Sequence, residues 1–296
     1  MRLLLPILSP TFVTSKNNEK EKILDKVASN PDFYLPFRQH GPSLANARRE
    51  IYANVNRLAN GDGVGFFNVL AFRGVFFGSP FARSDHYRWF NSLDDWENFR
   101  MMEKDKAKEY KGERYYVTKN CYGQTQIRRK LSLLPLYWEQ RTWWNNKFNK
   151  PEKPAVDAVF KWLTSHQKID GSDKKKTLTL FSNIGQLTAL LICGDLAEAG
   201  VIKMPSAEEW AKLISRVGKG SKAGMVMCGF VKDKSSQEEL CKAFVSLDLA
   251  LQHELSDEEK EKMGYNVIML EHALCKIKRL TSEDVLDEAI YSETSS

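Results

Sequence analysis

The chain has 296 residues, 42% of them hydrophobic and 28% charged, with a formal net charge of +6 and five cysteines. This composition is typical of a globular protein with one large domain or two lobes. The cysteines show no CxxC spacing, and the apolar run LTALLIC is too short to cross a bilayer. The sequence therefore argues against a disulfide framework, a structural zinc site and a membrane partner, and we expect a cytoplasmic protein.

Residues 1–17 begin with the apolar run MRLLLPILSPTFV, which two prolines interrupt. Prolines break helices, and the run shows no small-residue cleavage site, so we interpret it as an extended N-terminal arm and not as a signal peptide. An apolar segment of this kind gains stability by docking on a neighbouring copy of the chain. The sequence therefore predicts a homo-oligomer that assembles through this arm.

Residues 18–150 are predicted to form an N-terminal lobe. Helical spacing of apolar residues covers 18–29, 43–59, 93–110 and 129–148. Between these helices, FFNVLAFRGVFFG at 66–78 fits either a buried helix or a short strand pair. ERYYVTKNCYG at 113–123 fits either a short strand or an ordered loop.

A hinge region is predicted at 151–177, where polar segments with Pro and Gly interrupt the helical pattern. The C-terminal lobe at 178–281 has clear helix start signals, because four Ser or Thr residues precede an acidic residue at capping-box spacing. These pairs are Ser206–Glu209, Ser236–Glu239, Ser256–Glu259 and Thr281–Asp284. The helices are predicted at 179–199, 206–217, 236–253, 256–279 and 281–291, the last within a frayed C-terminal segment at 282–296.

These elements together predict a mainly α-helical fold. We expect two helical lobes with a groove between them, an extended N-terminal arm and little β-structure. Sequential helices joined by short polar segments are the basis of this expectation.

The motifs of common enzyme and cofactor sites are absent from the sequence. The five histidines are scattered, without HExxH spacing, and the chain contains no GxSxG. GDGVG at 61–65 lacks the dinucleotide-binding spacing, and RVGKGSKAGM at 216–225 lacks the P-loop order. The second loop fits either backbone amides that hold a phosphate or a flexible connection between helices. We therefore predict a protein that is not an enzyme and has no catalytic residue, metal or cofactor.

Positive charge is concentrated in the middle of the chain. Residues 100–150 contain thirteen Lys or Arg against five Asp or Glu, and the same stretch carries Tyr137, Trp138, Trp143 and Trp144. Proteins that bind single-stranded nucleic acid combine cationic tracks with aromatic rings that stack on bases. The alternative is an amphipathic helix with its rings in the core and its cations in solvent.

The candidate RNA-binding residues are cations in three groups, at 114–141, 174–176 and 216–222. We expect that residues 128–130 cannot be buried unpaired and must face solvent or a polyanion. The candidates are Arg114, Lys119, Arg128, Arg129, Lys130, Arg141, Lys174, Lys175, Lys176, Arg216, Lys219 and Lys222.

NRLA at 56–59 and NVLAFRG at 68–74 resemble short blocks in the nucleocapsid proteins of emaraviruses, which are segmented negative-strand RNA viruses. The resemblance implies an RNA-coating protein with two lobes and an exchanged terminal arm, associated with the virion. It also implies that Arg57, Asn68 and Arg73 contact RNA. For Asn68 and Arg73, the alternative is a segment whose apolar residues simply pack in the core.

The leading hypothesis is a non-enzymatic, nucleocapsid-like protein that coats single-stranded RNA and self-associates. A helical interaction or scaffold protein without nucleic acid is the first alternative. An enzyme whose site residues are dispersed in the sequence is the second.

Overall fold

The computed structural model describes residues 19–58, 60–122, 126–148, 152–168 and 177–281. The described chain is mainly α-helical with little β-structure, which confirms the predicted fold class. Residues 1–17, the helix at 281–291 except its first residue, and Lys174, Lys175 and Lys176 lie outside the described residues, so the predictions for them stay predictions.

The α-helices follow one another through short connections. They are α1 (Glu19–Ser29), α2 (Pro31–Tyr34), α3 (Pro42–Ala47), α4 (Val55–Leu58), α5 (Val64–Ala71), α6 (Pro80–Arg83), α7 (Leu93–Met102), α8 (Lys104–Glu109), α9 (Leu134–Glu139), α10 (Trp143–Phe148), α11 (Val156–Leu163), α12 (Gln186–Glu198), α13 (Ala207–Val217), α14 (Lys219–Met227), α15 (Gln237–Glu254), α16 (Asp257–Met263) and α17 (Val267–Thr281).

Shorter elements complete the secondary structure. Two segments are π-helical, Arg48–Tyr52 and Phe72–Phe76, and the 3-10 turns are Arg38–His40, Gly112–Tyr115 and Leu131–Leu133. Strands β1 (His166–Lys168) and β2 (Thr177–Thr179) pair antiparallel, with His166 opposite Thr179. In the described part of the segment at 113–123, residues 113–122, the 3-10 turn is followed by irregular chain with a single bridge residue at Asn120, which favours the ordered loop over the strand.

The chain divides into two compact units. The central unit is Pro42–Glu209, and the terminal unit combines Met1–Gly41 with Trp210–Ser296. This division differs from the boundary predicted at 151–177, since β1, β2 and α11 all belong to the central unit. A terminal unit built from both ends of the chain depends on contacts between residues far apart in sequence, which local patterns do not report.

The core of the central unit forms around α5 and the π-helical segment that follows it. Residues 65–78 are buried throughout, and a segment that is apolar on every side is stable only in the interior. This settles the sequence alternatives for 66–78 in favour of a buried helix. Gly74 is required there, because a Cβ atom at this position would overlap the ring of Tyr137.

Helix start signals in the sequence are confirmed where the structure describes them. Ser236 and Ser256 accept from the backbone amides of Glu239 and Glu259, and each glutamate accepts from the serine amide in return. The same reciprocal bonds join Ser206 and Glu209. Asp284, the partner predicted for Thr281, lies outside the described residues.

Two predicted helices have different limits in the structure. The helix predicted at 256–279 is divided into α16 and α17, because Gly264 has a left-handed φ of 64° that ends α16. The helix predicted at 179–199 begins only at Gln186, since β2 and a turn occupy the residues before it.

In the terminal unit, α14 packs tightly against α17. Gly220 and Gly224 lie one helical turn apart, where a Cβ atom would meet Cys275 and the Leu274 carbonyl oxygen. Small residues at this spacing let two helix backbones approach closely. The loop predicted at 216–225 is therefore wrong, since α13 ends at Val217 and α14 begins at Lys219, whereas phosphate binding by this segment stays a prediction. Val27, Phe37 and Met263 form part of the buried core of the terminal unit.

Candidate nucleic-acid interface

The aromatic residues of 127–150 belong largely to the core. The helix predicted at 129–148 is a 3-10 turn followed by α9 and α10, and Tyr137 and Trp144 are buried. Trp138 is half-buried, with the edge of Phe67 at 5.2 Å between ring centroids and the Arg141 guanidinium 4.1 Å from its ring centre. These rings are engaged in packing, so the structure gives no support to a stacking platform made from them.

Arg129 is buried, which corrects the prediction that all three cations at 128–130 face solvent or RNA. Its Nη1 donates to the carbonyl oxygens of Phe77 and Thr118 at 2.9 Å, and its Nε donates to the Gly74 carbonyl oxygen at 3.3 Å. Its Nη2 is buried with no hydrogen-bond partner. Carbonyl dipoles therefore stabilise this charge in place of a carboxylate. Arg129 acts as an anchor beneath the surface and is not available as an RNA contact.

Arg73 is also buried, which corrects its expected role as an RNA contact. Its Nη2 and Nε donate to the two oxygens of Asp195 at 2.7 and 2.5 Å, and Tyr52 donates to the same carboxylate at 3.0 Å. Burial alone would lower the pKa of Arg73, but the charge and hydrogen bonds of Asp195 raise it above its ordinary value. For the Tyr52 hydroxyl the effect of burial has the opposite sign: burial raises its pKa, and the Asp195 charge raises it further.

The two π-helical segments supply the partners of this network, since Tyr52 ends one and Arg73 lies in the other. Sequence reasoning missed Asp195, although an acidic residue within the apolar run of α12 was an available signal. A buried carboxylate in such a helix needs a cationic partner.

Asn68 is buried and holds backbone in place. Its Nδ2 donates to the Phe90 carbonyl oxygen at 2.8 Å, and its Oδ1 accepts from the Phe90 amide at 3.0 Å. These bonds fix the chain that precedes α7, so its role as an RNA contact is also corrected. Arg57 is exposed but lies 4.0 Å from the centre of the Trp89 ring and donates to Asn91.

A compact set of exposed cations surrounds the buried Arg129. Lys119, Arg128 and Lys130 are exposed, and none has an ion-pair partner within the ranges that the structure describes. The sequence explains this, because residues 114–138 contain five Lys or Arg and no Asp or Glu. We call Lys119, Arg128 and Lys130 the basic turn surface.

Backbone hydrogen bonds hold the basic turn surface together. The Gln126 amide donates to the Lys119 carbonyl oxygen at 2.7 Å, and the Arg129 amide donates to the Gln126 carbonyl oxygen at 3.0 Å, which closes a turn. Arg128 is two residues beyond Gln126, so its Cα atom lies within roughly 13 Å of the Lys119 Cα atom. The three residues therefore lie on neighbouring backbone segments.

The other candidates belong to other elements of the chain. Arg114 is exposed in the 3-10 turn of the central unit. In the terminal unit, Arg216 and Lys219 are exposed and Lys222 is half-buried, at the junction of α13 and α14. None of these four has an ion-pair partner among the described residues.

A cleft in the central unit is lined by none of the residues of the basic turn surface. It has a volume of about 340 Å³ in the central unit, with the Arg73-bound Asp195 among its walls. The other lining residues are Leu44, Arg48, Tyr52, Ala53, Val55, Glu198 and Ala199. Because the Asp195 carboxylate already accepts from Arg73 and Tyr52, it is not placed to act as a general base there.

Within the described ranges, no group of three or more His, Cys, Asp or Glu side chains is arranged to hold a metal ion. The five cysteines are free thiols, and burial raises the pKa of Cys193 and Cys121, which keeps these thiols protonated. No described helix combines the length and the apolar character needed to span a bilayer.

Comparison with protein families, with curated proteins and with solved structures finds no match to this chain.

Proposed function

We propose that this protein binds single-stranded RNA without catalysing a reaction, as a nucleocapsid-like protein does. The observation that supports the proposal is the basic turn surface, where Lys119, Arg128 and Lys130 stand together without acidic partners in the described chain. Phosphate contacts by Lys and Arg supply most of the affinity in such complexes. Coating of RNA and self-association through residues 1–17 belong to the same proposal.

The structure changes the physical basis of the proposal from stacking to electrostatics. Two of the four rings expected to stack on bases are buried and two are half-buried, whereas the cations of the turn are exposed. The buried Arg129 adds a further positive charge just beneath them. Its charge is not cancelled by a carboxylate, in contrast to that of Arg73, so it contributes to the positive potential at this surface.

The experiment that tests the proposal removes the three exposed charges together. We expect Lys119→Gln, Arg128→Gln and Lys130→Gln in one variant to weaken oligouridine binding about a hundredfold at 0.1 M salt, if each contacts one phosphate. The slope of log affinity against log salt should fall by about 2, since each contact to a single strand contributes about 0.7. Fluorescence anisotropy across a salt series measures both quantities.

A matched control removes the same number of charges elsewhere on the central unit. Lys106, Lys108 and Lys161 are exposed and each pairs with an acidic residue on its own helix. The variant with Gln at these three positions has the same net charge, and we expect it to keep the wild-type affinity and slope. If both triple variants bind alike, the basic turn surface is not the RNA site. If the wild type binds no RNA, the chain is better described as an interaction protein.

A further inference from the structure

The tip of the turn formed by Gln126–Arg129 presents an apolar side chain beside a cation. Ile127 is 74% exposed, which exceeds every other large hydrophobic side chain in the described ranges. Its neighbour Arg128 is exposed as well. Turns favour Gly, Pro, Asn, Asp and Ser, so turn formation does not account for an isoleucine here.

Hydrogen bonds and ring packing hold the turn beneath Ile127 in place. Below it, the Arg129 guanidinium is bound to the Phe77 and Thr118 carbonyl oxygens, and the Gln126 amide is bound to Lys119. Burial raises the pKa of the adjacent Tyr122 hydroxyl to about 12, and Tyr122 stacks on Phe77 at 5.2 Å with an interplanar angle of 11°. A partner that meets Ile127 therefore meets a side chain on a pre-organised support, which lowers the ordering cost of binding.

We propose that Ile127 packs against the face of an unstacked RNA base while Arg128 and Lys130 contact the adjacent phosphates, an inference that rests on the proposed function. Every base has an apolar face, which is accessible in a single strand and covered by neighbouring pairs in a duplex. The turn therefore selects single-stranded RNA over duplex RNA without reading its sequence.

A lipid surface is the other partner that combines negative charge with apolar groups, and the magnitudes favour RNA. A whole myristoyl chain gives only marginal membrane binding, and one isoleucine side chain is much smaller. Between residues 126 and 130, Ile127 is the sole apolar residue. It cannot hold the protein on a membrane, but it can increase the affinity of an RNA complex that phosphate contacts already anchor.

The test separates the base contact from the charge contacts by using two polyanions. Oligouridine offers bases and phosphates, whereas inorganic polyphosphate offers phosphates alone. We expect Ile127→Ser to weaken oligouridine binding about fivefold to thirtyfold with an unchanged salt slope, because a buried aliphatic contact is not screened by salt. The same variant should bind polyphosphate as the wild type does. Lys130→Gln is expected to weaken binding to both polyanions.

Duplex RNA and lipid vesicles complete the experiment. The wild type should prefer oligouridine to an RNA duplex of equal length, and Ile127→Ser should reduce that preference. Ile127→Phe should increase it, since a ring stacks on a base better than an aliphatic chain. Unchanged thermal melts of these variants by circular dichroism exclude misfolding.

Three results would overturn the inference. If Ile127→Ser binds oligouridine like the wild type, or loses affinity for both polyanions equally, the base contact is absent while RNA binding by the cations stands. If the wild type binds neither polyanion, the proposed function fails and the inference with it. If phosphatidylserine vesicles bind through Ile127 and oligouridine does not bind, the turn is a membrane contact.

Discussion

Arg73 and Arg129 are both buried in the central unit, yet their surroundings differ. Arg73 meets a carboxylate with two hydrogen bonds, and the side chains of this pair are 2% and 0% exposed. Arg129 meets carbonyl oxygens and keeps one nitrogen without a partner. The first arrangement is electrically neutral and serves the core. The second leaves a positive charge beneath an exposed basic surface, so burial alone does not decide whether an arginine contributes to the positive potential of a surface.

Breaking the neutral arrangement should give the largest effect on stability. Asp195→Ala leaves Arg73 buried without a counter-charge and removes the acceptor of Tyr52. We expect the free energy of unfolding to fall by about 3–5 kcal/mol, the usual cost of removing one partner of a buried pair. Urea denaturation followed by circular dichroism measures it. Asp157→Ala, which breaks the exposed pair with Lys161, is the control and should change the free energy by less than about 1 kcal/mol.

Removing the charge of Arg129 should have a smaller effect. In Arg129→Met, the carbonyl oxygens of Phe77 and Thr118 lose a buried donor. The desolvation cost of the unpaired cation disappears at the same time, which offsets part of the loss. We expect a net decrease of about 2 kcal/mol in the free energy of unfolding, measured by the same denaturation. A variant as stable as the wild type would contradict the view that Arg129 holds the turn in place.

The contrast between these arginines also shows where sequence reasoning succeeds. The capping boxes at Ser236 and Ser256 are local, since each partner is three residues away, and the sequence predicted them correctly. Arg129 stands between two exposed cations and is distinguished from them by contacts with Gly74, Phe77 and Thr118. Those contacts join segments that are distant in sequence, so the local charge pattern could not identify the buried member.

Small residues and isolated polar residues were signals that sequence reasoning left unused. Gly220 and Gly224 are spaced by one helical turn, which indicates close helix packing and not a loop. Asp195 within an apolar helix indicates a buried partner. The mainly α-helical fold could be predicted from periodicity, whereas the placement of each cation depended on tertiary contacts.

A histidine that is neutral in the folded chain sharpens the comparison further, and the terminal unit provides one in the half-buried His272. Burial lowers the pKa of the His272 ring well below its ordinary value, and the charges of Lys276 and Arg38 lower it more. The unfolded chain therefore binds a proton near pH 6.5 that the folded chain does not bind. The free energy of unfolding therefore decreases as the pH falls below about 6.5, because protonation of His272 favours the unfolded chain.

We expect the wild type to lose about 1 kcal/mol more than His272→Gln between pH 7 and pH 5.5. Glutamine keeps a donor for the Leu35 carbonyl oxygen, 3.2 Å from the ring nitrogen of His272. Burial raises the pKa of Glu271, which opposes this trend as the pH falls, but the effect is common to both proteins. Urea denaturation at the two pH values measures the difference. Equal losses in the two proteins would show that His272 does not titrate in this range.

The smallest effect on stability is expected for the basic turn surface itself. The variant with Gln at Lys119, Arg128 and Lys130 removes exposed charges that have no ion-pair partner in the described chain, so its Tm should stay within about 2 °C of the wild type.

The dependence of the Tm on salt concentration is a finer measure of the interaction among these three charges. In the wild type these cations repel one another and the buried Arg129, and salt screens that repulsion over about 10 Å at 0.1 M. Raising the salt concentration should therefore increase the Tm of the wild type more than that of the variant. An equal increase in both proteins would mean that the three charges do not interact, and a single surface for a polyanion would lose its electrostatic support.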